Sequence, residues 1–292
     1  MKPAPFEYHV PDSMEEALML LRDLGGDAKL LAGGQSLVPA MNFRVVQPSA
    51  LIDLNRIKEL DYVREDRACL RIGAMTRERT LEFDPWIAQW SPLLKEAMPH
   101  VAHPQIRNRG TLGGSLANAD PAAELPVLML ALDARLKVHS VDSERWVEAH
   151  NFFSGMFSTD LAAGEMLTEI ELPLQPAHTG WSFLEMAPRA GDYALMGVAA
   201  LVTLDEADKC TAAKLVYLNA GDGPMDAKEA VQLLQNQYIN DKLIEEASSM
   251  ASEKEISPFG NIHASPDFQR HLAKVLTKRA LQQAIQRAGE LQ

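Results

Sequence analysis

The chain has 292 residues, and its 28 Lys and Arg against 40 Asp and Glu leave a net charge of −12; 47% of the residues are hydrophobic and 23% charged. That balance excludes a disordered chain, a collagen and a disulfide-stapled miniprotein, and the length implies about two domains. The acidic excess argues against binding to nucleic acid or to an anionic membrane, since both need concentrated positive charge.

In chain order, the N-terminus Met1-Lys2-Pro3-Ala4-Pro5-Phe6 lacks the apolar run of a signal peptide, and a cytoplasmic location is expected. Residues 6–10 alternate as a short strand. Ser13 and Glu16 stand in capping-box spacing ahead of a helix with an apolar face of Ala17, Leu18, Leu20, Leu21 and Leu24, closed by Gly25-Gly26. Residues 29–31 and 51–54 read as strands, which completes a small β-α-β lobe ending near residue 57. A second α/β stretch holds a strand at 69–74, a helix opened by Ser91-Pro92 and a polar loop at 103–109. It continues with a buried helix at 122–132, a hairpin at 135–148 and a closing strand at 166–172. The apolar run 125–132 contains Pro126 and is far shorter than the ~20 residues of a membrane span. Residues 173–179 form the candidate linker. Three strands follow, at 181–186, 196–204 and 214–219, and then helices at about 226–235, 239–251 and 267–289. Strands first and helices after predict a separate α+β domain.

The main chemical signal is a pair of Gly-Gly segments: residues 30–37, with Gly33-Gly34-Gln35-Ser36 at the end of an apolar run, and residues 110–116, with Gly113-Gly114-Ser115. Glycine lets backbone N–H groups converge, and successive N–H groups form a concave anion site that suits phosphate. Ser36, Thr111 and Ser115 add small hydroxyl donors. Either segment alone is most simply a tight structural turn; both together point to a ligand with two phosphates. No G-x-G-x-x-G follows a strand, no Gly-Lys-Ser/Thr occurs, and neither segment has the closing glycine of a nucleophile elbow. Two cysteines, Cys69 and Cys210, cannot ligate an iron–sulfur cluster, and no spacing suggests a metal site. His100 and His103, in a loop beside prolines, read as surface residues, and Met129 and Met156 as core filler.

Ala32-Gly33-Gly34-Gln35-Ser36-Leu37-Val38-Pro39 and Thr111-Leu112-Gly113-Gly114-Ser115-Leu116-Ala117-Asn118-Ala119-Asp120-Pro121-Ala122-Ala123-Glu124-Leu125-Pro126 resemble the two FAD motifs of the flavoprotein (medium) subunits of molybdenum hydroxylases. Gly191-Asp192-Tyr193-Ala194 resembles a third short element of that family, and Ile262-His263-Ala264-Ser265 the start of its C-terminal helix. The similarity runs through nearly the whole chain, in order.

The resemblance implies an α+β protein: a two-lobed FAD-binding domain over 1–176, with lobes of about 1–57 and 58–176, and a C-terminal domain over 177–292 with a three-stranded antiparallel sheet and helices. It implies FAD contacts from Leu30, Leu31, Ala32, Gly33, Gly34, Gln35, Ser36 and Leu37, and from Thr111, Gly113, Gly114, Ser115 and Asn118. Glu124 would accept from ribose hydroxyls, or is a solvated helix-start residue. Ala102, Ile106 and Leu167 would line the cofactor slot, or are plain core. Tyr193 would cover one face of the isoalloxazine, or is a half-buried turn tyrosine. Where some members place a lysine ahead of this tyrosine, the chain has Leu184-Glu185-Met186. No residue of this chain is expected to be catalytic in itself, because the cofactor supplies the redox chemistry. The implied partners are a large subunit with a molybdenum–pterin cofactor and a small subunit with [2Fe–2S] clusters, in a dimer of heterotrimers. The competing expectation is a self-contained flavin oxidase, disfavoured because the C-terminal region offers no acid–base cluster. The substrate would be met in another chain and is not legible in this one.

Overall fold

A computed structural model describes residues 1–291; Gln292, the last residue of the C-terminal domain expected over 177–292, lies outside the described residues. The first lobe is a parallel sheet of β1 (Glu7–His9), β2 (Ala28–Leu31) and β3 (Ala50–Asp53) in the order β1-β3-β2. Parallel strands need a crossover, supplied between β1 and β2 by helix Met14–Leu24. Ser13 caps that helix as its spacing predicts, accepting from the Glu16 N–H at 3.2 Å. Ala17, Leu18 and Leu21 bury against Ala50 and Ile52 of the central strand. β2 and β3 end at the same carboxyl edge, the edge at which open parallel sheets hold their ligands.

The second lobe is a five-stranded antiparallel sheet, β4-β5-β10-β6-β7, built from β4 (Val63–Asp66), β5 (Cys69–Gly73), β6 (Arg135–His139), β7 (Glu144–Glu148) and β10 (Met166–Pro173). A small hairpin, β8 (Phe153–Gly155) and β9 (Ser158–Thr159), stands beside it. Helix Glu124–Ala131 is buried along its whole length, which explains why its sequence shows no polar face.

The third sheet holds the three long antiparallel strands expected, β11 (Thr179–Met186), β12 (Met196–Leu204) and β13 (Cys210–Leu218), plus a two-residue edge strand, β14 (Met225–Asp226). β12 is covered on both faces. Met196, Val198, Ala200 and Val202 face the core under helix Pro266–Glu290, while Ala199 and Leu201 join the core of the second lobe. Gly180 of β11 lets that helix seat closely, since a Cβ there would lie 1.8 Å from the Ala284 carbonyl oxygen.

Several local expectations are corrected. The 110–116 segment is not a turn: Gly113 and Gly114 lie in the first turn of helix Leu112–Asn118. Strand β4 and helices Glu78–Phe83 and Pro85–Trp90 have no counterpart in the expected order. Met129 is core, but Met156 is half exposed, because it occupies the tip between β8 and β9. Among the described residues no helix is long and apolar enough to cross a membrane.

Candidate functional site

The first glycine segment leaves β2 at the carboxyl edge and turns into helix Leu37–Asn42. Gly34 has φ of 73°, the left-handed region in which a Cβ is strained. The N–H groups of Gly33, Gly34, Gln35 and Ser36 find no acceptor among the described residues. The Gln35 side chain folds back onto the Gly33 carbonyl at 3.1 Å. Three residues of this free-donor row, Gly33, Gly34 and Gln35, line a cleft of about 400 Å³ together with Leu31, Val38, Asn55 and Arg109 among others. A free N–H row beside an arginine is an anion-binding arrangement.

Residues the sequence reading missed hold this row in place. Asn55 donates from Nδ2 to the Ala32 carbonyl at 2.9 Å, and its own N–H donates to Asp53 Oδ1 at 2.9 Å. Tyr8 donates its hydroxyl to Asp53 Oδ2, and Arg77 donates to both Asn55 Oδ1 and the Arg109 carbonyl. Burial opposes the Asp53 charge, but hydrogen bonds from Tyr8 and Asn55 outweigh it and hold this carboxyl below the usual range. The available signal was position: Asp53-Leu54-Asn55 stands just past the end of a central parallel strand.

The second glycine segment works differently. Thr111 Oγ1 accepts from the Gly114 N–H at 3.1 Å as the helix cap, Gly113 N–H donates to the Ala74 carbonyl at 2.8 Å, and Ser115 N–H donates to the Thr111 carbonyl at 3.1 Å. Those donors are taken, and the glycines serve as spacers. A Cβ on Gly113 would meet Ala74 at 2.5 Å; one on Gly114 would crowd Thr111 Oγ1 at 2.7 Å and Ala32 at 3.3 Å. A Cβ on Gly33 would lie 2.3 Å from the Arg109 carbonyl oxygen. The two segments thus abut backbone to backbone, and one lobe closes on the other through glycines.

Tyr193 follows a turn in which the Asp192 N–H donates to the Arg189 carbonyl at 3.1 Å. Gly191 is pressed against His103, where a Cβ would lie 2.3 Å from Nδ1. Tyr193 is 70% exposed rather than half-buried, so its ring offers a bare face. Partial desolvation, followed by the charges of Asp120 and Glu124, raises its hydroxyl above the usual tyrosine value. The expected loop at 103–109 holds a short helix, Pro104–Arg107, whose buried Arg107 donates to the Val101 and Ala102 carbonyls at 2.8 and 2.9 Å and pairs with Glu82 at 2.9 Å. This holds Ala102 at φ of 44°. Ile106 is half-buried in that helix.

Leu167, at 5% exposure, belongs to the second-lobe core, and Asn118 sits at the far end of the helix that Thr111 begins. Leu30 packs toward the first-lobe core, and Leu37 opens the following helix. Glu124 is buried at 8% exposure rather than solvated; burial, reinforced by the nearby Glu185 charge, pushes its carboxyl up to about 8. His100 is also not a free surface residue, since its Nδ1 lies 3.3 Å from Glu185 Oε1.

Comparison with known proteins agrees with this geometry. Residues 4–175 match the family model described as the FAD binding domain in molybdopterin dehydrogenase, and residues 181–284 match the CO dehydrogenase flavoprotein C-terminal domain. The chain is 42% identical over 288 residues to the 6-hydroxypseudooxynicotine dehydrogenase complex subunit alpha of Paenarthrobacter nicotinovorans, covering 99% of this chain and 97% of the relative. It is 34% identical to the carbon monoxide dehydrogenase medium chain of Afipia carboxidovorans, covering 99% of each. A chain of quinoline 2-oxidoreductase from Pseudomonas putida 86 superposes with a TM-score of 0.93 at 39% identity over 99% of both chains. The glycine-closed cleft and these likenesses along the full length lead to one assignment: the chain belongs to the family of FAD-binding medium subunits of the molybdenum hydroxylases.

Proposed function

We propose that this chain is the electron-transfer subunit of a three-subunit molybdenum hydroxylase. It holds FAD, takes electrons from [2Fe–2S] clusters of a small partner and passes them to an external acceptor. Hydroxylation belongs to a molybdenum–pterin centre in a large partner, and two such heterotrimers pair. The names of the relatives support this reading, because they are subunits of dehydrogenase and hydroxylase complexes. The two family models, ending at 175 and starting at 181, support a FAD-binding domain over 1–176 and a C-terminal domain beyond it.

The observation that carries the reading is the row of free N–H groups at Gly33, Gly34 and Gln35, in a cleft that Arg109 also lines and whose walls lack side chains at the two glycines. The residues present fit FAD. The N–H row and Arg109 would hold the pyrophosphate, and the bare ring of Tyr193 would cover the isoalloxazine. Bound FAD would supply the ability to accept and release electrons, and the chain's own side chains position and screen it. Ala102 and Ile106 flank His103, against which Gly191 of the turn ahead of Tyr193 is pressed. Thr111, Gly113, Gly114 and Ser115 close the slot from the second lobe.

The test is uptake of FAD by the full chain. After incubation and gel filtration, the protein should retain oxidised-flavin absorbance near one FAD per chain. Tyr193→Ala should weaken binding up to about tenfold, the worth of one aromatic stack, without lowering the melting temperature. A chain that takes up no flavin refutes the reading.

A further inference from the structure

Arg77 stands where the two lobes meet, and it is not among the residues that line the cleft. Its backbone belongs to the second lobe. The Glu78 N–H donates to the Gly110 carbonyl and the Leu112 N–H to the Thr76 carbonyl, each at 3.0 Å, so residues 76–78 run paired with the second glycine segment. Its side chain reaches both walls of the cleft. Nη2 donates to Asn55 Oδ1 of the first lobe at 2.5 Å, and Nη1 donates to the Arg109 carbonyl of the second.

These two bonds decide what each wall presents. Arginine is only a donor, so its hold on Oδ1 leaves Asn55 Nδ2 to donate to the Ala32 carbonyl, at 2.9 Å. In a trans peptide the carbonyl and the following N–H point opposite ways. Pinning the Ala32 carbonyl therefore turns the Gly33 N–H, the first of the free row, away from Asn55. On the other wall, the Gly110 N–H donates to the Ile106 carbonyl at 2.7 Å while Arg77 holds the Arg109 carbonyl. The peptide unit after Arg109 is thus fixed from both sides. Gly33 rests on the same carbonyl oxygen, where a Cβ would lie 2.3 Å away. One carbonyl therefore sets the spacing between the free N–H row and Arg109, and Arg77 holds it. Burial, and then the neighbouring Arg109 charge, draws Arg77 below the ordinary arginine value. An anion seated in the cleft offsets that repulsion.

We propose that Arg77 is a positioning residue for the cofactor. Without touching FAD, it holds the N–H row of the first lobe and Arg109 of the second in the register that grips the pyrophosphate, and so sets the affinity. The inference rests on the reading of the cleft as an FAD site. Arg77 also walls a second cavity of about 330 Å³, together with Asn55, Lys58, Asp61 and Met75. Trimming the side chain leaves its place open to a small cation, with the Asp61 carboxylate there to attract one.

FAD is titrated into the full chain by quenching of flavin fluorescence, and ADP, which carries the same diphosphate, by calorimetry. Arg77→Ala should raise the Kd for both by about ten- to a hundredfold, the worth of two charge-assisted hydrogen bonds. Millimolar guanidinium should restore most of the lost affinity, and sodium at the same concentration should not; an arginine that only stabilised the fold would show no such rescue. Arg77→Lys, whose ammonium lacks the fork that serves two acceptors, should fall between the wild type and Arg77→Ala. Asn55→Ala should also weaken FAD. The double variant should lose clearly less than the product of the two single losses, because both act on the Ala32 carbonyl. An Arg77→Ala Kd equal to that of the wild type, a loss that guanidinium does not repair, or single losses that multiply freely each overturns the proposal while leaving the FAD site standing. If Arg77→Ala does not fold, Arg77→Lys decides, and wild-type affinity in it overturns the proposal. Absence of FAD binding by the wild type overturns both.

Discussion

Glu78 shows how far one residue's environment can work against it. Its carboxyl is sealed against Gly110, and burial pushes it up to about 7 despite the opposing pull of Arg107 and Arg77. A carboxyl raised in the folded state stabilises the protein fully below its unfolded value of 4.5 and loses that contribution as pH climbs through about 7. The shift corresponds to roughly 3 kcal/mol. Glu78→Gln removes the titration while keeping the shape. Its stability relative to the wild type should rise by about 3 kcal/mol between about pH 5 and about pH 8, read from urea midpoints at each pH. Comparing variant with wild type cancels most of the similar trend from Glu124, although the two sites are coupled. A gap that stays constant with pH would show that Glu78 is ionised throughout. The same residue explains part of what sequence reading missed. In sequence Gly110 reads as part of a phosphate turn, whereas its lack of a side chain makes room for a buried acid, and no motif encodes that.

At the scale of elements, what was legible is what carries long periodicity or chemical punctuation. β12 and helix Pro266–Glu290 could be read because nine and twenty-five residues leave a pattern to follow. Helices Glu78–Phe83 and Pro85–Trp90 are six residues each, too short for a hydrophobic face to stand out. β4 is an edge strand of Val63-Arg64-Glu65-Asp66, polar enough to pass for loop. Helix Leu112–Asn118 was hidden by its glycines, which disfavour helix locally; Thr111 capping and close packing on Ala74 override that preference. The fold and the two glycine segments were thus legible, but not the division of labour between them. That required seeing which N–H groups the backbone had already used. Glycine's role as a spacer can be tested away from the cleft. Gly180→Ala would drive a Cβ into backbone atoms of the long helix, 1.8 Å from the Ala284 oxygen and 2.5 Å from the Ala288 nitrogen. Backbone cannot yield as a side-chain tip can, so a loss of about 2–3 kcal/mol is expected. Gly289→Ala, with nothing within 4 Å, should instead gain a few tenths of a kcal/mol from helix propensity near a frayed end. Guanidinium denaturation of the pair checks both, and equal effects would deny the contact.

For the whole molecule, the question is whether the C-terminal domain is an appendage or part of one cooperative unit. Phe183, Ala199, Leu201, Val216 and Leu218 of the third sheet share a core with Leu94, Leu128 and Phe152 of the second lobe. A shared apolar core resists separate unfolding. Glu96 adds a polar clasp over the same interface. It accepts from the Phe183 N–H at 2.9 Å and the Trp181 indole N–H at 3.2 Å, and pairs with Arg287 at 2.6 Å. Arg287 in turn donates to the Trp181 carbonyl at 2.7 Å, so one carboxylate ties helix Pro92–Ala97, β11 and the C-terminal helix together. Removing it strands two donors and a partly buried guanidinium, at a cost of about 2–4 kcal/mol. Glu96→Gln, which keeps an acceptor but loses the charge, should cost about half as much. The shared core predicts that both variants still unfold in one step. Tryptophan fluorescence, to which Trp181 contributes from the clasp, and far-ultraviolet circular dichroism should then give coincident transitions, shifted to lower denaturant. If Glu96→Ala instead splits the transition, the clasp rather than the core couples the domains. An unshifted midpoint would mean that the clasp contributes nothing to stability. Coupling matters for the proposed role because Tyr193 is carried by the C-terminal side of this interface, while both glycine segments belong to the other. A cofactor shared between them would bind to a preformed slot only if the two sides hold their relative position without it.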